Sequence, residues 1–400
     1  MKIGLIATGI WGSIHLEMAR ELQRLGHVVR IYTEDNRAPS GMRFSRFAED
    51  GLEFWVIHAF RRNPWTWLPD RLFKYWLGRR FFTTLVAIRR FIRANEDCDV
   101  FVVESDWLGF FVALATRFLA VRWVVGIHDT DYLAAPVSYP GRPQSRWRTA
   151  VQRWVLQRAD CVRANSRFTG DALLAGGCPP QKLVVVPLHA PRRMLPPPGI
   201  PLTEFRARAK QAWRPRCGVP EQALMLATMC RLTPVKRLEL AVDTLAELRR
   251  RGIDVWLVLF GGDRKLPEIG SYAASLRERA ARGGAGDHLV IAGEVTPDQV
   301  IHALAATDLH LAPSWADTFN FAVVEAALVG TPSLASPNVG AAPWLGSAAR
   351  VVSSDAASDW ADAVLAPPEV SEEQRLVIAE ELSVPRVAAQ LVAVYQAVAR

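Results

Sequence analysis

The sequence predicts an α/β protein of two doubly wound, Rossmann-like domains that face each other across a cleft. Its 400 residues exceed what one hydrophobic core usually organises, and half of them are apolar, enough to fill two cores. Short β-branched runs alternate with longer helical patterns almost from end to end, which is typical of βαβ units with parallel strands covered on both faces. A proline-rich stretch near the middle of the chain interrupts this alternation and predicts a domain boundary.

The first domain is predicted at residues 1–195 and contains seven strands. Each strand is a short apolar run, and helical patterns fill the spaces between the runs. The predicted strands lie at residues 3–7, 28–33, 54–57, 100–104, 123–127, 161–165 and 183–186.

The second domain is predicted at residues 221–370. Before it, residues 196–220 contain Pro196-Pro197-Pro198-Gly199 and further prolines, which predict an irregular interdomain linker. Residues 371–400 are helical by pattern and have no strand left to pair with, so we expect them to cross back to the first domain. The predicted strands of the second domain lie at residues 225–229, 255–260, 289–292, 309–312 and 333–335.

Composition and charge exclude several classes of protein. The five cysteines lack the spacings of metal sites, so we expect reduced, mostly buried thiols. The chain opens on a strand pattern rather than a leader, and its longest apolar runs fall short of the roughly 20 residues that a membrane span needs, so we expect a cytoplasmic protein. The formal net charge of +8 indicates a partner with negative charge: nucleotide phosphates, nucleic acid or an anionic membrane face.

Two carboxylates in a D-x7-E arrangement follow the predicted strand 309–312. Asp317 lies in the loop before a helix that starts near Phe321, where free N–H groups and the positive end of the helix dipole attract an anion such as a diphosphate. Glu325 lies about one turn into that helix, where a carboxylate can accept hydrogen bonds from ribose hydroxyls. In the structural alternative, Asp317 caps the helix and Glu325 is solvated.

Arg231 and Lys236 form an R-x4-K pattern directly after the predicted strand 225–229. Two cations at a strand end can converge on one diphosphate and stabilise the charge of a departing nucleotide. Alone, such a pair is usually solvated. Together with the D-x7-E segment, in the correct order and also at a strand end, it predicts a phosphate site.

Glycines and one histidine occupy other predicted strand ends. Gly9 and Gly12 stand between the first strand and the first helix, where glycine lets the backbone approach a phosphate or a sugar. They do not form the G-x-G-x-x-G fingerprint of a dinucleotide site. Gly262 follows the strand 255–260 and would allow a base to approach closely. His128 ends the strand 123–127, although a lone histidine is more often structural than catalytic.

The segment 312–332 and the R-x4-K pattern together resemble the retaining family-4 glycosyltransferases, which have the GT-B fold. The resemblance begins at the first glycine loop and is strongest in the second domain. It implies that Asp317 contacts the donor sugar, that Glu325 holds the ribose, and that Arg231 and Lys236 bind the pyrophosphate.

The same resemblance gives roles to backbone groups and to the first domain. It implies that the Phe319-Asn320-Phe321 backbone binds sugar hydroxyls and phosphate, and that Gly262 borders the nucleotide. Gly9 and Gly12 correspond to a paired-glycine loop, and His128 corresponds to a histidine that contacts the donor sugar near the reacting carbon.

Four residues depart from the usual pattern of this family. Asp317 replaces a glutamate, Thr318 and Asn320 replace two glycines, and Ile10 stands where a second adjacent glycine is usual in the first loop. The shorter carboxylate and the lost glycines leave the identity of the sugar open.

The resemblance implies a retaining transfer of a hexose-type sugar from a UDP- or GDP-sugar, a donor substrate rather than a tightly bound cofactor, to an acceptor hydroxyl. We expect the donor on the second domain, the acceptor on the first and closure of the cleft during the reaction. The acceptor is a lipid-linked sugar, a polysaccharide or a small molecule. No D-x-D pattern occurs where one would be expected, so we predict no metal. The alternatives are a nucleotide-sugar epimerase or phosphorylase of the same fold, and a non-catalytic relative that binds a nucleotide sugar or a membrane.

Residues 60–93 form a basic segment in which aromatic side chains are interleaved with nine arginines and lysines and a single acid, Asp70. This mixture is typical of a peripheral contact with an anionic membrane surface, with aromatics at the headgroup level. Alternatively, the aromatics pack on their own sheet while the arginines point to water. No nucleic-acid motif accompanies the segment, so we expect no nucleic-acid partner.

Overall fold

The computed structural model describes residues 1–11, 13–35, 44–58, 66–72, 80–128, 146–263, 265–266 and 270–399. They form two compact units, each built on a mainly parallel β-sheet with helices packed against it. The first unit comprises the described residues of 1–128, 146–189 and 384–399, and the second comprises those of 190–383. The predicted α/β class with two Rossmann-like domains is confirmed.

The first unit contains an eight-stranded sheet in the order β3-β4-β2-β1-β5-β6-β7-β8. All neighbouring strands are parallel except β3 and β4, which are antiparallel. The chain leaves β1 for β2 on one side and returns to β5 on the other, so the strand order reverses between β1 and β5. The strands are β1 (Lys2–Thr8), β2 (Val28–Asp35), β3 (Phe44–Glu49), β4 (Leu52–His58), β5 (Val100–Val103), β6 (Trp123–Ile127), β7 (Cys161–Ala164) and β8 (Leu183–Val185).

Helices cover this sheet, and the last helix of the chain is one of them. Val387, Leu391 and Tyr395 are buried in the same cluster as Ile3 and Leu5 of β1, because apolar side chains recur along one face of that helix. The helices of the first unit are α1 (Ile14–Arg24), α2 (Trp67–Leu72), α3 (Phe81–Ala94), α4 (Asp106–Ala115), α5 (Arg146–Arg158), α6 (Arg167–Ala175) and α14 (Val384–Ala399).

The second unit contains a parallel six-stranded sheet in the order β13-β10-β9-β14-β15-β16. Here the strand order reverses between β9 and β14. The strands are β9 (Leu224–Met229), β10 (Val255–Phe260), β13 (Leu289–Gly293), β14 (Leu309–Ala312), β15 (Ser333–Ala335) and β16 (Ala349–Val351), with a separate hairpin of β11 (Lys265–Leu266) and β12 (Gly270–Ser271). The helices are α7 (Leu202–Arg216), α8 (Leu238–Arg250), α9 (Tyr272–Arg282), α10 (Pro297–Ala306), α11 (Phe321–Leu328), α12 (Ala357–Leu365) and α13 (Glu372–Glu381).

The segment 196–220, for which we expected an irregular linker, contains the fifteen-residue helix α7. Its prolines do not interrupt the middle of the helix, since Pro201 directly precedes the first helical residue and Pro215 lies in the last turn. Arg214 of α7 is buried and ion-paired with Asp308, whose carboxylate also accepts the Met225 N–H at 2.8 Å. These contacts anchor α7 to the strands of the second unit.

Two edge strands and both domain ends also differ from the expectations drawn from the sequence. The edge strands β3 and β16 were not predicted, because a short or antiparallel edge strand lacks the continuous apolar run of a buried parallel strand. The chain passes between the compact units at 189/190 and 383/384, whereas the sequence predicts domain ends at 195 and 370.

The basic aromatic segment 60–93 is described only at residues 66–72 and 80–93. In this part Phe81 and Phe91 are buried in the core of the first unit, whereas Arg90 and Arg93 are exposed. This agrees with the packing alternative for α3. The other aromatic residues at 65, 73, 75 and 76 lie outside the described residues. Across the described part of the chain, none of the helices combines the length and apolar character that a membrane crossing needs.

Candidate functional site

The loops that carry the R-x4-K and D-x7-E patterns leave adjacent strands of the second unit. Arg231 and Lys236 follow β9, Asp317 follows β14, and these two strands pair in parallel at the point where the strand order reverses. Because parallel strands end at the same edge of a sheet, both loops emerge at the edge where open α/β sheets bind ligands.

Direct contacts join the two loops. The Trp315 N–H donates to the carbonyl oxygen of Val235 at 2.9 Å. The Lys236 ammonium contacts the Asp317 carboxylate. The guanidinium of Arg237 lies 3.9 Å from the centroid of the Trp315 ring. Two patterns that are far apart in sequence therefore form one structural unit, which we call the two-loop junction (residues 231–237 and 315–320).

Arg231 lies at the open side of this junction. The N–H of the next residue, Leu232, donates to the carbonyl oxygen of Gly262 at 3.0 Å, so the Arg231 and Gly262 loops run side by side. The Arg231 side chain is exposed and forms no ion pair with any described residue. Its charge is therefore available to an anionic ligand.

Asn320 sets the entry to helix α11. It has a φ of 72°, a left-handed conformation that glycine adopts without strain and that asparagine tolerates better than most other residues. Its side chain does not cap the helix. Asn320 thus keeps the backbone path that a glycine would give, and the N–H groups of the first turn stay available to a ligand.

Glu325 lies on α11, one turn from its start, with its side chain half-buried. Burial raises its pKa to about 7, while the positive charge of Arg193 acts in the opposite direction. Its carboxylate has no hydrogen-bond partner among the described residues. A ligand that donates hydrogen bonds, such as a ribose, would satisfy it and favour its ionised form.

Gly262 and its neighbour Gly261 lie close to groups from adjacent loops. A Cβ atom there would lie 2.1 Å from Oε1 of Glu294, and one on the neighbouring Gly261 would lie 1.8 Å from the carbonyl oxygen of Cys230. Gly261, whose φ is 143° and whose added Cβ would meet backbone, has to be glycine there, whereas the exposed Glu294 side chain can rotate away from a larger residue at 262. The predicted nucleotide-side role of Gly262 stays a prediction.

In the first unit, His128 lies directly after β6, and its Nε2 is 2.7 Å from Oε2 of Glu104, directly after β5. Arg163 Nη1 lies 3.6 Å from the other carboxylate oxygen of Glu104. The Glu104 side chain is only 5% exposed, which opposes its ionisation, but the hydrogen bond with His128 and the Arg163 charge outweigh this and hold its pKa below the usual range. An ionised Glu104 therefore orients the His128 ring.

Sequence reasoning missed Glu104 and Arg163, although Gly126 carried a signal. Glycine weakens the interior of a strand, so a glycine in the apolar run of β6 indicates that another group approaches the strand closely there. A Cβ atom at Gly126 would lie 2.4 Å from Oε2 of Glu104. The glycine makes room for the carboxylate that holds His128.

His15, to which we assigned no role from the sequence, lies beside His128 with ring centroids 5.5 Å apart. Burial lowers its pKa to about 4, although the charge of Glu104 opposes this, so His15 is neutral at pH 7. Ligand-type atoms of His15, Glu104 and His128 lie within 4.8 Å of one another. The Arg163 guanidinium beside Glu104 disfavours a cation there, and the absence of a metal stays a prediction.

The predicted glycine loop of the first unit is described in part. Gly9 follows β1, which borders the point of strand reversal, and its φ of 58° requires the freedom of glycine. Gly12 lies outside the described residues. The predicted site residues thus fall into two sets: Gly9 and His128 in the first unit, and the remaining described ones in the second.

Family profiles match both units. The profile described as "Glycosyl transferase 4-like domain" matches residues 9–189, and the one described as "Glycosyl transferases group 1" matches residues 223–366. The chain therefore belongs to the family-4-like glycosyltransferases of group 1.

Individual relatives agree with this family. A D-inositol 3-phosphate glycosyltransferase of Nocardia farcinica is 26% identical over an aligned length of 272 that covers 64% of this chain and 56% of the relative, so the chain spans little more than half of that protein. A 2-deoxystreptamine glucosyltransferase of Streptomyces kanamyceticus is 26% identical over 79% of this chain and 78% of its own length. The structure of Anabaena HepE with UDP and glucose has the same fold, with a TM-score of 0.70, 16% identity and 99% coverage of both chains.

Replacing Glu104 by Gln should lower transferase turnover by about tenfold or more, because the neutral amide no longer holds His128 in one tautomer and orientation. Gly126→Ala should act in the same direction by displacing the carboxylate while leaving the histidine in place. Long-range ¹H–¹⁵N spectra of His128 would report the changed protonation of its ring nitrogens. An exposed substitution, Glu49→Gln on β3, serves as the control, and unchanged spectra in both test variants would contradict the assignment.

Glu325 should make nucleotide binding depend on pH. Because its pKa is about 7 and hydrogen bonds from ribose hydroxyls favour the carboxylate, UDP affinity should fall about tenfold as the pH drops from 8 to 6. Calorimetric titrations of wild type and Glu325→Gln at several pH values test this. The titration of the nucleotide phosphate is common to both proteins, so identical pH profiles would contradict a role for Glu325.

Proposed function

We propose that this protein is a retaining glycosyltransferase that moves a hexose-type sugar from a nucleotide diphosphate-sugar to an acceptor hydroxyl. The observation that carries the proposal is the two-loop junction, which brings two cationic side chains, an acidic one and the start of a helix together at the ligand-binding edge of the second sheet. UDP is the favoured nucleotide because the HepE structure contains it, and a GDP-sugar is the alternative donor.

The donor diphosphate would lie on Lys236 and Arg231. Lys236 is largely enclosed and supplies a fixed charge, whereas Arg231 is exposed and can close over the phosphates. When the bond between the anomeric carbon and the phosphate oxygen breaks, negative charge grows on the leaving diphosphate. The two cations stabilise that charge more in the transition state than in the bound donor, which is the requirement for catalysis.

The sugar and the ribose would occupy opposite sides of the diphosphate. Asp317 and the backbone N–H groups at Phe319-Asn320-Phe321 would bind sugar hydroxyls, and Glu325 would accept hydrogen bonds from the ribose. His128, held by Glu104, would contact the donor sugar. For retention we favour a front-face route, in which the acceptor oxygen bonds to the anomeric carbon and its proton passes to the leaving phosphate oxygen.

A small polyol is the acceptor that the named relatives favour. Their names record transfer to D-inositol 3-phosphate and to 2-deoxystreptamine, both small, hydroxyl-rich molecules. A lipid-linked sugar or a polysaccharide is the alternative, and it would require a membrane or polymer contact.

Nucleotide release from donor sugars tests the proposed activity. Purified protein should release nucleoside diphosphate from one of UDP-glucose, GDP-mannose and ADP-glucose, faster with a suitable acceptor than without it. Lys236→Ala should reduce this rate by about a hundredfold or more, since it removes a charge that stabilises the transition state. The control is Arg250→Ala, an arginine of α8 whose side chain is 72% exposed.

Other outcomes of this assay point to other functions. Wild-type rates in folded Lys236→Ala would remove the proposed site. Tight nucleotide binding without release would favour the non-catalytic alternative, and conversion of the donor to another nucleotide sugar would favour an epimerase. Release of sugar phosphate in the presence of phosphate would favour a phosphorylase.

Peripheral association with a membrane is a further part of the proposal. Leu68 and Leu72 of α2 are 54% and 65% exposed, and the basic Arg71 lies between them in sequence. The buried Asp70 accepts the Phe82 N–H at 2.7 Å, which ties α2 to α3 and leaves the two leucines at the surface. Apolar side chains beside a basic one favour an anionic lipid surface.

Vesicle flotation tests this contact. The protein should float with anionic vesicles and remain unbound with neutral ones, and Leu68→Ser/Leu72→Ser should lose most of the binding. The control is Leu376→Ser/Val377→Ser, a similarly exposed apolar pair on α13. Absence of flotation with both vesicle types would remove the membrane from the proposal.

A further inference from the structure

The partly buried ion pair of the two-loop junction joins Lys236, a proposed phosphate ligand, to Asp317. The side chains of Lys236 and Asp317 are only 16% and 11% exposed, so their charges interact more strongly than they would in water. We propose that Asp317 competes with bound phosphate for Lys236, so that the site disfavours free nucleoside diphosphate relative to the nucleotide sugar. This inference rests on the proposed function, which places the donor diphosphate on Lys236.

Asp317 cannot withdraw from this position by a backbone movement without breaking several contacts. Its N–H donates to the carbonyl oxygen of Asn338 at 3.0 Å, and its own carbonyl oxygen accepts the Gly340 N–H at 2.9 Å. Two residues earlier, Trp315 is hydrogen-bonded to Val235 in the lysine loop. These contacts hold the backbone of Asp317 and so keep its carboxylate within reach of Lys236.

The charge of the ligand decides how strongly the Asp317 carboxylate weakens its binding. In a nucleotide sugar, the sugar esterifies the terminal phosphate, and its hydroxyl groups can donate hydrogen bonds to Asp317. In the free nucleoside diphosphate, the terminal phosphate carries more negative charge and no hydroxyls cover it. Two anionic groups then share one lysine, and the like-charge repulsion weakens binding of the product.

Arg231 does not remove this competition. It is exposed and forms no ion pair with a described residue, so it attracts both ligands from the solvent side, where its charge is screened. The difference between the two ligands thus arises mainly at the enclosed pair. Asp317 would help to release the nucleotide after the sugar has been transferred.

Two substitutions separate the charge of Asp317 from its shape. Asp317→Asn keeps the size and removes the charge, whereas Asp317→Glu keeps the charge. The dissociation constants of UDP, GDP and their glucose esters are first measured for the wild type by calorimetry at fixed pH and ionic strength. The nucleotide that the wild type binds, and its glucose ester, are then titrated into both variants. We expect Asp317→Asn to bind the free diphosphate about tenfold more tightly than wild type, with a smaller gain or a loss for the sugar ester.

Asp317→Glu is the control for the loss of charge in Asp317→Asn. Asp317→Glu should keep the wild-type ratio of the two dissociation constants, and melting temperatures verify that each variant is folded. An unchanged ratio in Asp317→Asn, or an equal change in Asp317→Glu, would overturn the competition. If the wild-type protein itself binds none of the four nucleotides, the proposed donor site fails and not merely this inference.

Discussion

The junction between the loops that follow β9 and β14 is the constraint on which the second unit's candidate site depends. Arg237 is in the left-handed region with a φ of 52°, a conformation that costs a non-glycine residue about 1 kcal/mol. Its guanidinium offsets this by pairing with Asp355 at 2.7 Å and by lying over the Trp315 ring. The strained turn places Lys236 opposite Asp317. The contacts of Lys236 and Arg237 in turn stabilise the strained conformation.

The first unit applies the same topological rule with different chemistry. Its strand order also reverses beside its first strand, and the polar groups again follow the carboxyl ends of parallel strands. Here, however, the central pair is Glu104 and His128, enclosed by a strand glycine and by Arg163. Two sheets of similar topology thus carry two kinds of polar site. The site of the second unit presents cations to an anion, and that of the first unit presents the oriented imidazole of His128.

The buried parallel strands could be predicted from the sequence, because continuous β-branched runs indicate local burial. The loops that carry the R-x4-K and D-x7-E patterns follow directly from the ends of those strands. Glu104 was missed because its partner His128 follows a different strand, and Gly126 marks only that some group approaches β6 without saying which one. The prolines around 196–220 predict an irregular linker, whereas Pro201 and Pro215 lie at the two ends of helix α7. Asn320 stands where the family has a glycine, and its left-handed conformation preserves the backbone path that a glycine would give.

Helix α14 gives the first unit a core assembled from both ends of the chain. Val387 and Leu391 complete the cluster that begins with Ile3, whereas the described residues of the second unit lie between 190 and 383. During synthesis on a ribosome, the second unit can therefore close its core as soon as residue 383 has emerged. The first unit must wait for the residues of α14, and until then part of its sheet exposes apolar surface that a chaperone could cover.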